Sequence, residues 1–297
     1  MGNVCRTVRR IDIHQHLWPE ALVSSLARRS VQPRITRDGG RGWQLELAGD
    51  KPAPFAPADH DPSRRTGFDR ILIAPSSPLG IEWLPRDEAE ALLAAYHHGV
   101  LELGGPFELW AGLVLSDATP ERVDALLDDG AVGLSLPAGA LAGPAGIESL
   151  GPALERLAER HAPLFIHPGP ASGAPAWFPA LTGYVGEMNT AWHAWAEWGR
   201  PQHADLTVIF AMLAGLAPLH AERLDARGGP AHAVHDPLTF YDTSSYGPRA
   251  IDAMLRVVGV DRLLYGTDVP VVPPSDLASL GEALLHALTV ANPERVL

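Results

Sequence analysis

Cysteine is almost absent from this chain: its 297 residues include only Cys5. A lone thiol excludes an intrachain disulfide and any zinc site built on several cysteines. Positive charge is also scarce. There are 23 Lys and Arg against 35 Asp and Glu, for a formal net charge of −12, which excludes the basic footprint of a nucleic-acid binder. No apolar run approaches the roughly 18 residues that a membrane-spanning helix needs. The N-terminus has no apolar stretch of signal-peptide length, and Arg6 stands where a myristoylation signal requires Ser or Thr. These absences lead to the expectation of a soluble, cytoplasmic protein with a small-molecule substrate, no nucleic-acid or membrane partner, and a homodimer as an admissible assembly.

The composition is that of an ordinary globular protein, 46% apolar and 20% charged, and the length suits one large α/β domain over residues 1–297. Eight short β-rich runs recur from end to end: "RRIDIH", "RILIAPSS", "LWAGLVL", "AVGLSL", "PLFIHPG", "LTVIFAML", "TFYDTSS" and "RLLYGTD". Amphipathic stretches separate them. "TPERVDALLDDG" has Thr119 as N-cap, Pro120 at the first helical position and Gly130 past the end. "ESLGPALERLAERH" sets Leu150, Leu154 and Leu157 on one face, and "SDLASLGEALLHAL" does the same behind a Ser275 cap. Strands alternating with helices predict parallel βαβ units, and eight of them predict a distorted (β/α)8 barrel, with an open doubly wound sheet as the alternative. Residues 34–60 interrupt the pattern. Trp43, Leu45 and Leu47 alternate after a Gly-Gly turn, so a small β-hairpin cap is expected after the first strand, on the C-terminal face where barrel active sites lie.

Side chains alternate along a strand. Asp12, His14 and His16 therefore share one face of the first strand, and Ile11 and Ile13 the other. His167 ends the fifth strand and Asp268 the eighth. Imidazole nitrogen and carboxylate oxygen together suit a divalent ion such as zinc, which would acidify a water and supply a nucleophile near neutral pH. A single His-x-His or "GTD" carries little weight alone. Their joint placement at strand C-terminal ends, in barrel order, carries the argument.

"IDIHQHLWP", "LFIHPGP" and "LLYGTDVP" resemble the amidohydrolase-related family, the branch of the amidohydrolase superfamily that includes aminocarboxymuconate-semialdehyde decarboxylase. The resemblance runs from Ile11 to the end. It implies a distorted (β/α)8 barrel with one divalent metal, usually zinc, held by His14, His16, His167 and Asp268. The chain departs from the family's pattern in "VIFAMLAGLAPLHAERL", where Met212 occupies the place of a strand-six histidine that resembles a proton shuttle or carbonyl polariser. A thioether cannot carry a proton at neutral pH, and His220 lies too far along to replace it. Strand alternation puts Val208, Phe210 and Met212 on one face, so Met212 is expected to point into the mouth, close to the metal.

Weaker signals complete the set. Trp192, Trp195 and Trp198 read as a helix face packed on the barrel. Trp177 is either a pocket wall or a loop anchor. Arg37 and Arg41 could clamp a substrate carboxylate, or be solvated hairpin charges. Asp242, Ser244 and Tyr246 follow the seventh strand and could line the mouth. The leading expectation is hydrolysis of a small ester, lactone or amide, with Asp268 both ligating the metal and taking the water's proton. The second is nonoxidative decarboxylation of a small carboxylic acid. The third is a metal- or ligand-binding barrel without turnover, its acid–base group lost at Met212.

Overall fold

The computed structural model describes residues 9–39, 42–173, 175 and 177–297. The chain opens with strand β1 (Ile11–Gln15), and a three-stranded antiparallel sheet follows, made of β2 (Arg34–Asp38), β3 (Gly42–Glu46) and β4 (Ala53–Pro54). The remaining barrel strands are β5 (Arg70–Ile73), β6 (Phe107–Gly112), β7 (Ala131–Pro137), β8 (Leu164–His167), β9 (Val208–Phe210), β10 (Thr239–Asp242) and β11 (Leu263–Leu264). With β1 they form one parallel sheet in chain order. Each of the eight β-rich runs is thus a strand. The cap is the expected hairpin, with β4 adding a third strand.

Backbone hydrogen bonds close the barrel between its first and last staves. Ile13 N–H donates to Tyr265 O at 3.0 Å, Asp268 N–H to His14 O at 2.9 Å, and His16 N–H to Val269 O at 2.7 Å. Outward-facing Ile11 and Ile13 are fully buried. Inside, Trp110 stacks on Phe165 with centroids 5.3 Å apart and donates its indole N–H to Ile13 O. Phe165 meets His14 edge-on, so an aromatic layer fills the barrel beneath the histidines.

The main helices are α1 (Glu20–Ala27), α2 (Arg86–Leu103), α3 (Pro120–Asp128), α4 (Pro144–Glu159) and α5 (Trp177–Ala194). The Thr119 hydroxyl caps α3 by accepting from Arg122 N–H. Leu150, Leu154 and Leu157 bury one face of α4. Trp192 and Trp195 are buried as expected, while Trp198 lies at the surface.

Two sequence expectations fail here. Ser275 does not cap a helix: it lies in a loop, and the next α-helix begins at Glu282, after Gly281 turns the chain with φ 85°. Met212 is not a strand residue. β9 stops at Phe210, and Met212, Leu213, Ala214, Gly215 and Leu216 all have positive φ, from 49° to 66°. Strand alternation therefore cannot assign the direction of Met212, because the chain has already turned left-handed.

That turn is costly. An L-residue in the left-handed region loses about 1–2 kcal/mol, and four of the five are not glycine. Burial of Met212, Leu213 and Ala214 offsets the cost. So does Asn189 of α5, whose Nδ2 donates to Gly215 O at 2.8 Å and to Val185 O at 3.0 Å. Asn189→Ala strands the Gly215 carbonyl and is expected to destabilise the protein by about 1–3 kcal/mol. Chemical denaturation measures this, and an unchanged midpoint would show that the turn holds itself.

Candidate metal centre

Strand ends place the site. His14 belongs to β1 and His16 follows it. His167 closes β8, and Asp268 follows β11 in a left-handed conformation, φ 62°, which Asp tolerates better than most residues. All four are buried. One ligand atom from each lies within 4.8 Å of every other. His14 Nε2 is 3.1 Å from His16 Nε2, and Asp268 Oδ1 is 3.6 Å and 3.3 Å from these two atoms.

The hydrogen bonds on the far side of each ring decide what the near side presents. His14 Nδ1 donates to Asp242 Oδ2 at 2.7 Å, His16 Nδ1 to Ala74 O at 2.9 Å, and His167 Nδ1 to Pro168 O at 2.8 Å. Each partner is a carboxylate or carbonyl oxygen and can only accept. The protons are therefore fixed on Nδ1, and the Nε2 lone pairs point inward. Two buried lone pairs 3.1 Å apart repel each other unless a cation or a proton lies between them. Second-side hydrogen bonding of this kind fixes tautomer and ring direction in metal-binding histidines. Ligands about 2 Å from a tetrahedral ion are themselves about 3.3 Å apart, close to the separations found here. The donor set thus fits a divalent cation.

Charge in the site points the same way. Burial pulls His14 down, but the charge and hydrogen bond of Asp242, then the charges of Asp268 and Asp12, outweigh it and hold the ring above its ordinary value. A proton and a cation therefore compete for one Nε2. Burial and the neighbouring His16 and His14 push His167 well below the ordinary value, so it stays neutral. Burial would raise Asp268. The neighbouring imidazoles, His16 first and then His14, prevail and keep it ionised. Ser245 Oγ donates to Asp268 Oδ2 at 2.8 Å and orients the carboxylate.

The other residues marked in the sequence separate into groups. Asp242 and Ser244 do not line the mouth. Both are buried behind His14, where Ser244 Oγ lies 3.1 Å from His14 Nδ1 and Ser244 N–H donates to Asp242 Oδ1. Gly266 makes room for this pair: a Cβ there would lie 2.0 Å from Asp242 Oδ1 and 2.7 Å from His14 Cβ. Tyr246 is half-buried beside Thr243, Ser245 and Tyr265. Arg37 is exposed, with its guanidinium 5.4 Å from the Trp43 ring centroid, and fits the solvated-charge alternative. Arg41 lies outside the described residues. Trp177 is 62% exposed at the start of α5, against Phe178. It walls no cavity described below.

Sequence reasoning missed several contacts. Trp18 stacks against both Phe55 and His60 of the cap region, with centroids 5.3 Å and 4.9 Å away, and those two rings stack on each other at 5.4 Å. Its indole N–H donates to Ser76 Oγ at 2.8 Å, and that hydroxyl lies 3.3 Å from His16 Nδ1. The cap is thereby connected to a ligand. "HLWP" was the available signal, since Trp18 sits two residues after His16.

Comparisons with known proteins agree with this geometry. The amidohydrolase family model matches residues 11–297. A search of curated proteins finds no match. Among solved structures, the chain is similar to 5-carboxyvanillate decarboxylase from Sphingomonas paucimobilis (14% identity, TM-score 0.71, 98% of this chain and 99% of that one). It is also similar to the Metarhizium anisopliae IDCase in apo form (19%, 0.73, 100% and 98%). A third is a dihydroxybenzoic acid decarboxylase from Polaromonas sp. JS666 with bound manganese and the inhibitor 2-nitroresorcinol (14%, 0.65, 98% and 97%). No described helix is long and apolar enough to cross a membrane. With the eight-stranded barrel, the four-residue cluster and a family match over almost its whole length, the chain belongs to the amidohydrolase family, whose decarboxylase branch its motifs resemble.

Proposed function

We propose that this protein is a metal-dependent nonoxidative decarboxylase of a small carboxylic acid. The observation that carries this reading is the convergence of three histidine Nε2 lone pairs and Asp268 Oδ1 at the barrel mouth. The hydrolytic expectation gives way to the alternative for two reasons. The similar solved structures named above include decarboxylases. Hydrolysis also needs a group free to take a proton from water, whereas Asp268 Oδ1 faces the imidazoles and Oδ2 accepts from Ser245. Met212 adds no proton carrier.

A divalent ion held by His14, His16, His167 and Asp268 would supply a Lewis-acid contact for the substrate carboxylate. The chain's own residues do the rest. Asp242, Ala74 O and Pro168 O hold the rings in the ligating tautomer, and Ser245 steers Asp268. Asp268 serves as a ligand in this reading, since both of its oxygens are engaged. Loss of CO2 breaks the bond between the ring or chain carbon and the carboxyl group and leaves its electron pair on that carbon, which takes up a proton from solvent water.

The test is incubation of manganese-loaded protein with a panel of hydroxylated benzoic acids, following CO2 release, alongside a panel of esters and lactones. CO2 release from at least one acid is expected, with no ester or lactone cleavage above that of metal-stripped protein. Lactone or ester turnover without CO2 from any acid would return the assignment to hydrolysis.

A further inference from the structure

A cavity of about 460 Å3 opens on the C-terminal face of the barrel, bounded by the cap, the loops after β5, β7 and β8, and α5. It lies at the level of the ligand cluster. Pro137 on its wall is the register partner of His167, and Gly169, also on the wall, follows that ligand by two residues. Tyr184 and Glu187 are three apart on α5, hence on one helix face, and both border the cavity. Asp50 borders it from the cap, with Oδ1 accepting from Gly173 N–H. No Lys, Arg or His lines it among the described residues.

Glu187 is half-buried, and only one of its oxygens is engaged: Oε2 accepts from Gly169 N–H at 2.9 Å. Oε1 has no hydrogen-bond partner among the described residues. Burial raises the carboxyl's affinity for a proton, the mark of a charge short of donors. Tyr184 is pushed up to about 12 by burial and then by the carboxylates of Asp50, Glu187 and Asp268. Gly169, whose N–H Glu187 accepts, lies two residues past the ligand His167, so this wall adjoins the end of a ligand-bearing strand.

A substrate whose reacting carboxylate sits at the ligand cluster extends its other end into this cavity. There it meets two carboxylates and no cation. We infer that Glu187 is a specificity-determining residue, selecting a carboxylic acid whose far end carries a hydrogen-bond donor, best of all a protonated amine, and rejecting one whose far end is a second carboxylate. The selection works in both directions: Oε1 offers a charge-assisted hydrogen bond to the donor, and the wall repels the competing anion. This rests on the decarboxylase reading for the position of the reacting carboxylate.

The test uses binding, so that it does not depend on turnover. Calorimetry on manganese-loaded protein compares 4-(aminomethyl)benzoate with terephthalate, which have the same ring and the same first carboxylate. Wild-type protein is expected to bind the amine at least about tenfold more tightly. Glu187→Gln preserves the acceptor for Gly169 and should bring the ratio to within about threefold, weakening the amine and strengthening the diacid. If that variant misfolds, Asp50→Asn should narrow the ratio part of the way. Equal wild-type affinities, a ratio unaffected by either substitution, or binding of neither probe would overturn the inference. CO2 release is scored separately. Amine selectivity with no CO2 from any acid would remove the decarboxylase reading and leave the wall standing, whereas CO2 release without selectivity would do the reverse.

Discussion

Asp268→Ala is expected to leave a folded barrel with less than about a tenth of the wild-type divalent metal and no measurable decarboxylation. Asp268 is the only anion of the four, so its removal takes away both a donor and the charge that offsets the cation. Its Oδ1 lies 3.3 Å from His16 Nε2 and 3.6 Å from His14 Nε2, and no other carboxylate belongs to the cluster among the described residues. Asp242, a neighbouring carboxylate, is tied to His14 Nδ1 on the opposite side of the ring. Elemental analysis after dialysis against manganese gives the answer, with circular dichroism to confirm folding. Full metal occupancy in the alanine variant would mean that the ion, if any, is held elsewhere.

The second large effect is expected from a residue that touches no cation. Asp242→Ala should weaken metal binding by roughly 10- to 100-fold. Asp242 is fully buried and accepts the His14 Nδ1 proton at 2.7 Å. Its loss releases the tautomer that presents Nε2 and lowers the basicity of the ring. Asp242→Asn keeps an acceptor of the same shape and should cost less, so the difference between the two variants reports the carboxylate's charge. Competition titration against a chelator measures both. Alanine and wild type giving the same affinity would show that Ser244, 3.1 Å from the same nitrogen, suffices alone.

The legible and illegible parts of the chain divide along physical lines. The eight strands were readable because each is a short apolar run bounded by helical periodicity. His14, His16, His167 and Asp268 were readable because strand alternation and strand-end position are local properties. The role of Asp242 was not, since its type and position suit a pocket-lining residue equally well, and only the fold brings it behind His14. The turn at Met212 to Leu216 was hidden for a different reason. A single glycine, Gly215, marks five left-handed residues, and what sustains the other four is packing and Asn189 from a distant helix. Glu187 sits in mid-helix, where a carboxylate is ordinarily solvated. The cavity that changes its meaning is assembled from six separate segments.

The seam that closes the barrel has a temporal consequence. His14 O receives the N–H of Asp268, so the bond that joins the last stave to the first also delivers the fourth ligand to the first. During synthesis the His-x-His pair emerges ahead of the seven other staves and must wait for the last of them before its anionic partner arrives. A half-made protein can bind a cation only weakly and in the wrong geometry. Secure capture is thus deferred until the last stave is in place, and the ion would then act as a clasp on a finished hoop.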